Sequence, residues 1–109
     1  MKYILLLILG VAAIAQTPAG DAGRGRQLFE KDGCYECHGH LGQGGRDGPR
    51  IAATRLSLQA LTRYIRRPLG SMPAFTEKVL PDQDVRDIYA YLKSIPPAKS
   101  PKEIPLLNQ

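Results

Sequence analysis

Tryptophan is missing from these 109 residues, and cysteine and histidine occur only twice each. A zinc site would have to take all four ligands from Cys34, Cys37, His38 and His40, with no second loop to complete a tetrahedron. No segment reads as a strand, which removes the strand-to-helix turn that a thioredoxin-like C-x-x-C pair occupies. A structural bridge between Cys34 and Cys37 would close too small a loop to constrain much of the unfolded chain. Aromatic residues are scarce, at 6%, and they do not interleave with the basic ones. Nucleic acid is therefore not an expected partner, despite a formal net charge of +5.

Long apolar runs are also few. The one present, Tyr3 to Ala15, follows Met1-Lys2 and is interrupted only by Gly10. It is shorter than the roughly 20 residues with which a helix spans a bilayer. A charged start, a short apolar stretch and Ala13-Ile14-Ala15 before Gln16 together predict a secretory signal over residues 1–15, cleaved after Ala15. The competing use is an uncleaved amino-terminal anchor. No cysteine follows the run to carry a lipid, and no transmembrane span is expected in the mature form. What remains is one small domain, close to the lower limit at which a chain buries a core unaided.

The chemistry is concentrated in Cys34-Tyr35-Glu36-Cys37-His38, which uses both cysteines and sets a histidine directly after the second. That is the attachment pattern of a covalent c-type haem. The two thiols can each form a thioether to a vinyl group on the same porphyrin edge, and the imidazole of His38 is then carried to the iron. A longer insert would let the second thiol miss its vinyl. A large flat apolar cofactor stands in for core side chains, so Phe29, Tyr35, Tyr64, Phe75, Tyr89 and Tyr91 suffice as the aromatic complement. The chain without haem is expected to be poorly ordered.

Residues 16–20 read as a linker, and Asp21 as the N-cap of a helix running to about Asp32. Gly25 and Phe29 share its apolar stripe, with Leu28 beside them. Glycine at 23 and 25 weakens that helix by roughly 1 kcal/mol each relative to alanine, so a close approach is expected there. Five glycines and a proline between Gly39 and Arg50 permit no periodic element, and this stretch is expected to wrap the His38 side of the haem. Ser57 caps a second helix through about Arg67, with Leu58, Leu61, Tyr64 and Ile65 on one side. Pro68 stops it, and 69–75 is a second loop. A third helix opens near Pro81 or Asp82, with Asp82 and Asp84 favoured in its first turn by the helix dipole. Val85, Ile88, Tyr89, Tyr91, Leu92 and Ile95 supply its apolar side, and Pro96-Pro97 ends it. Residues 98–109, a proline-containing tail, are expected to be extended or loose.

A six-coordinate iron needs a ligand opposite His38. Past the leader, Met72 is the only methionine, held between Ser71 and Pro73 in a loop, which suits a fixed ligand better than a core filler. His40 follows the proximal histidine too closely to cross to the other face and reads as a surface residue. Arg46, Arg50, Arg55, Arg63, Arg66 and Arg67 crowd the stretch after the motif, either as solvated side chains or as a docking surface for an acidic redox partner. Arg50, Arg55 and Tyr64 are alternative partners for the haem propionates.

With these segments the chain resembles the small class I monohaem cytochromes c of bacterial, periplasmic type. The resemblance runs from about Asp21 to Ile95. It rests on 33–39 (GCYECHG), 42–45 (GQGG), Gly48-Pro49, 72–75 (MPAF) and 87–92 (DIYAYL). It implies an all-α fold of three main helices and loops wrapped around one covalent haem, within residues 21–97. It implies that the Pro49 carbonyl meets the free ring N–H of His38, and that Gly25 and Phe29 meet Ile88 and Tyr91 where the first and last helices cross. Export matches this, since the resemblance implies haem attachment outside the cytoplasm. The expected function is single-electron transfer by a His38/Met72-ligated haem c, without catalysis. Redox proteins are the expected partners, with the chain a monomer or a subunit of a redox complex. The alternatives are an electron-accepting subunit of a dehydrogenase or oxidase complex, and a haem enzyme or sensor whose sixth ligand is displaceable.

Overall fold

The computed structural model describes residues 19–109. The expected signal over 1–15, and most of the linker, lie outside the described residues. Four α-helices follow in order: α1, Ala22–Lys31; α2, Cys34–His38; α3, Leu58–Arg66; and α4, Asp82–Ser94. Among the described residues there is no strand, and no helix is long and apolar enough to cross a membrane.

Local chemistry sets the ends of these helices. The Asp21 side chain accepts from Arg24 N at the start of α1, and Ser57 accepts from Ala60 N at the start of α3. Each satisfies one of the amide donors a helix leaves free at its first turn. Gly33, at φ 75°, takes the left-handed turn out of α1 and into α2. Pro81 precedes α4, and Asp82 and Asp84 occupy its first turn. These bounds match the expected ones within a residue or two. The additional element is α2, which holds the cysteines and His38 themselves; five residues are too few to show a period.

The central contact is α1 on α4. Gly25 is buried there, and Phe29, fully buried, meets Tyr91 edge-on with ring centroids 5.5 Å apart. Such a pair contributes about 0.5–1.5 kcal/mol beyond its area. Leu28, Leu61, Ile65, Leu80, Val85, Ile88 and Leu92 complete the core. Gly20 also beds on α4: a β-carbon there would lie 2.2 Å from the Arg86 carbonyl oxygen. The end of the expected linker therefore belongs to the packed domain.

Two features depart from expectation. Asp87, on the inner stripe of α4 beside Ile88 and Tyr91, is 2% exposed. Its carboxylate accepts from Asp21 N at 2.8 Å, from Gln83 Nε2 at 3.0 Å and from the Arg24 guanidinium, which also reaches Asp84 at 2.7 Å. The tail, expected to be extended, contains two 3-10 turns, Pro101–Glu103 and Pro105–Leu107. Ser100 N donates to Glu103 Oε2, and the Asn108 side-chain amide donates to the carbonyls of Pro101, Lys102 and Ile104. Local hydrogen bonds of this kind order a segment without tertiary packing, and neither turn packs on the four helices.

Candidate haem site

A cleft of about 690 Å³ runs between α2 and the loop that follows α3. Cys34, Cys37, His38 and Met72 all line it, among Phe29, Ile51, Leu61, Ile65, Phe75, Leu80, Ile88 and Leu92. Its size lies within the range of cofactor pockets, and its wall is mainly apolar with a few convergent polar groups.

The short helix α2 gives the motif its geometry. Cys34 is half-buried, Cys37 exposed, and neither is in a disulfide. Burial, with the Asp32 carboxylate nearby, pushes the Cys34 thiol up to about 11. That environment opposes a thiolate, but a thioether has no proton to lose and is well suited to it.

His38 is buried, and its Nδ1 lies 2.8 Å from the Pro49 carbonyl oxygen. With Nδ1–H donating to that carbonyl, Nε2 is the nitrogen left for a metal. Gly48 makes this approach feasible, because a β-carbon on it would lie 2.8 Å from the Cys37 carbonyl oxygen and 3.0 Å from His38 Nδ1. Around the histidine the 39–50 loop turns tightly, with Gly44 N donating to His38 O at 2.7 Å and Gly39, Gly42 and Gly44 at positive φ.

His40 is turned away from the cleft. It stacks on Tyr35 and pairs with Glu30 at 3.1 Å, an exposed arrangement that agrees with its reading as a surface residue. Its backbone carbonyl accepts from Tyr91 Oη at 3.0 Å, which ties the motif to α4. Among the described residues, no group of three or more His, Cys, Asp or Glu side chains gathers as a structural zinc site requires.

Met72 lines the cleft from the loop that follows α3, and this loop is tied back to α3 at Phe75. Phe75 N donates to Ile65 O at 3.0 Å, and Arg66 Nη1 donates to Phe75 O at 3.0 Å. Arg66 Nη2 also reaches Asp82 Oδ1 at 2.7 Å. Of the propionate alternatives only Tyr64 lines the cleft, while Arg50 is engaged with the Pro96 carbonyl at 3.2 Å.

Sequence reasoning missed Arg66, Gly48 and Asp87 as individual positions. Asp87 had a signal: it is a charged residue in step with Ile88, Tyr91 and Leu92 on the apolar stripe. Arg66 had none, because its partners are a backbone carbonyl and a side chain sixteen positions away.

Two thiols, an imidazole oriented by the Pro49 carbonyl and an apolar wall along one cleft fit a covalent haem, and the Met72 side chain lines the same cleft. A helical domain with this site is a small monohaem cytochrome c. More narrowly, the chain belongs to the family described as cytochrome c oxidase, cbb3-type, subunit III, whose model matches residues 20–92. It is 29% identical over 99 residues to a cytochrome c6 of Gloeothece citriformis (strain PCC 7424), covering 82% of this chain and 84% of that protein. It is also 29% identical over 82 residues to the cbb3-type cytochrome c oxidase subunit CcoP of Helicobacter pylori (strain 52), covering 68% of this chain. This chain spans only 28% of that CcoP. No solved structure gives a significant match. Haem c is the cofactor, held through the Cys-x-x-Cys-His motif at Cys34 and Cys37, and the function is haem-based electron transfer.

Proposed function

We propose that this chain is an exported one-electron carrier, not an enzyme, with His38 and Met72 as the axial ligands of its single haem. In this reading residues 1–15 are a leader removed after Ala15, residues 21–97 are the working domain, and the carrier operates in the periplasm. The observation that carries the reading is that Met72 lines the same apolar cleft as Cys34, Cys37 and His38. A haem with both axial positions filled passes single electrons, and a thioether ligand raises its reduction potential. The protein's part is positional. Pro49 holds the His38 ring in one orientation, the core residues exclude water, and the exposed Cys37 side of the motif faces a docking partner across a small, weak interface.

Met72→Ala in the haem-loaded protein tests the ligand set. The methionine-to-ferric-iron absorption band should disappear, the potential should fall, and the reduced variant should bind carbon monoxide readily where the parent does not. A parent that already binds carbon monoxide stoichiometrically at neutral pH would point instead to a sensor or enzyme.

A second reading, a permanent subunit of an oxidase complex, is supported by the family's description and by the CcoP relative. The cytochrome c6 relative, most of whose length this chain covers, favours the free carrier. If the chain is a subunit, residues 98–109 are its strap. Deleting them should then abolish partner retention on purification while leaving the domain's own melting unchanged.

A further inference from the structure

The loop bearing Met72 is closed at one end by a clasp that the haem motif does not explain. Phe75 uses both of its backbone groups on the last turn of α3: its N–H donates to Ile65 O, and its carbonyl accepts from Arg66 Nη1, each at 3.0 Å. The guanidinium of Arg66 spans two structures at once, because Nη2 is 2.7 Å from Asp82 at the start of α4. Its side chain is only 20% exposed, unlike those of Arg24 or Arg46 at 47% and 92%. It was expected to be one of a row of solvated or partner-docking arginines, and it is instead built into the domain.

The geometry points to Arg66 as a positioning residue for Met72, one that holds the sixth ligand in place by fixing the far end of its loop. This rests on the reading of Met72 as an axial ligand. The physical argument concerns which bond yields first. Pro68 and Pro73 stiffen the loop, and Gly70 turns it at φ 69°. What remains free is the angle at which the loop leaves and rejoins α3, and three interactions restrain it: the two Phe75 bonds and the Arg66–Asp82 pair. A planar guanidinium can serve a carbonyl and a carboxylate at once because its donors form a rigid fork. Without it, one backbone bond alone sets the return of the chain. A thioether ligand competes with any stronger nitrogen donor that enters the cleft, so slack in the loop registers as easier displacement of the methionine, before the core loosens.

The experiment uses the haem-loaded ferric protein and imidazole as the competing ligand, following the methionine-to-iron band. Arg66→Leu keeps the aliphatic stem and removes the donors, and should bind imidazole about tenfold more tightly than the parent, the size expected for losing a charge-assisted hydrogen bond. Arg66→Lys, with one point charge, should recover at least half of that change on a logarithmic scale. Asp82→Asn, which weakens one arm only, should give about a threefold effect and serves should Arg66→Leu fail to fold. Denaturant unfolding is measured alongside. If Arg66→Leu lowers the unfolding midpoint but binds imidazole within about twofold of the parent, Arg66 is merely structural and the inference is overturned. A parent protein without the methionine band would overturn the ligand reading and this inference together, whereas a parent with the band and an indifferent Arg66→Leu overturns this inference alone.

Discussion

The carbonyl oxygen of Asp87 lies 1.8 Å from where a β-carbon on Gly25 would have to sit. The carbonyl carbon and Ile88 N are close behind, at 2.4 and 2.9 Å. All three are backbone atoms of α4, so no rotamer can make room. The first and last helices of the domain touch main chain to main chain, and the glycine that lowers the intrinsic stability of α1 is what permits it.

Gly25→Ala should therefore be among the most damaging single-methyl changes in the chain. Helix propensity alone would make it stabilising by roughly 1 kcal/mol. Forced separation of α1 from α4 instead costs about 3 kcal/mol or more. Thermal or denaturant unfolding of the haem-loaded protein decides the sign. Gly23→Ala is the control, since a β-carbon there meets only the Asp21 side chain at 3.3 Å.

Asp87 should make stability depend on acid. Burial works against its charge, but hydrogen bonds from Asp21 N, Arg24 and Gln83 outweigh burial and hold its carboxyl below the ordinary carboxylate range. A depressed folded value means that its contribution is fully present above the unfolded pKa of about 3.9 and is lost as pH falls through the folded one. Asp87→Asn should cost about 1–3 kcal/mol at pH 7. Its Tm gap from the parent should then shrink steadily below about pH 4. A gap that stays constant from pH 7 to pH 2 would show that the charge is irrelevant.

Gly48→Ala should strike the iron's environment more than the fold. The new methyl presses on the Cys37 carbonyl and on His38 Nδ1, displacing the Pro49 carbonyl from the ring. With His38 as the proposed ligand, losing this outer hydrogen bond weakens its bond to the metal about tenfold or more. If ferric iron bears that loss, the reduction potential rises by about 59 mV for one electron. Potentiometric titration of parent and variant measures it, and an unchanged potential would mean that the ring is held by the packing around it.

Much of this protein was legible from its residues, and the reasons differ by element. The Asp21 and Ser57 caps, Pro68 and Pro81 are local signals, and α1, α3 and α4 begin and end beside them. Cys34, Cys37 and His38 were legible because covalent attachment demands a fixed spacing. The Pro49–His38 contact came only with the family resemblance, and the structure has it at 2.8 Å. Leu80, 2% exposed in a stretch with no period, was not legible, because its burial depends on how α3 and α4 come together. The tail's turns escaped for the opposite reason: they depend on Asn108 reaching back several positions, which proline content alone does not report.

Gly20 and Gly25 bedded on α4 make the domain's two ends spatial neighbours, and this orders events during its biogenesis. A chain emerging from its amino-terminal side cannot seat α1 until residues near 86–90 have arrived, whatever the intermediate portions do. The contact between the first and last helices can therefore close only when both are present, so truncation at either end of the domain opens the same seam.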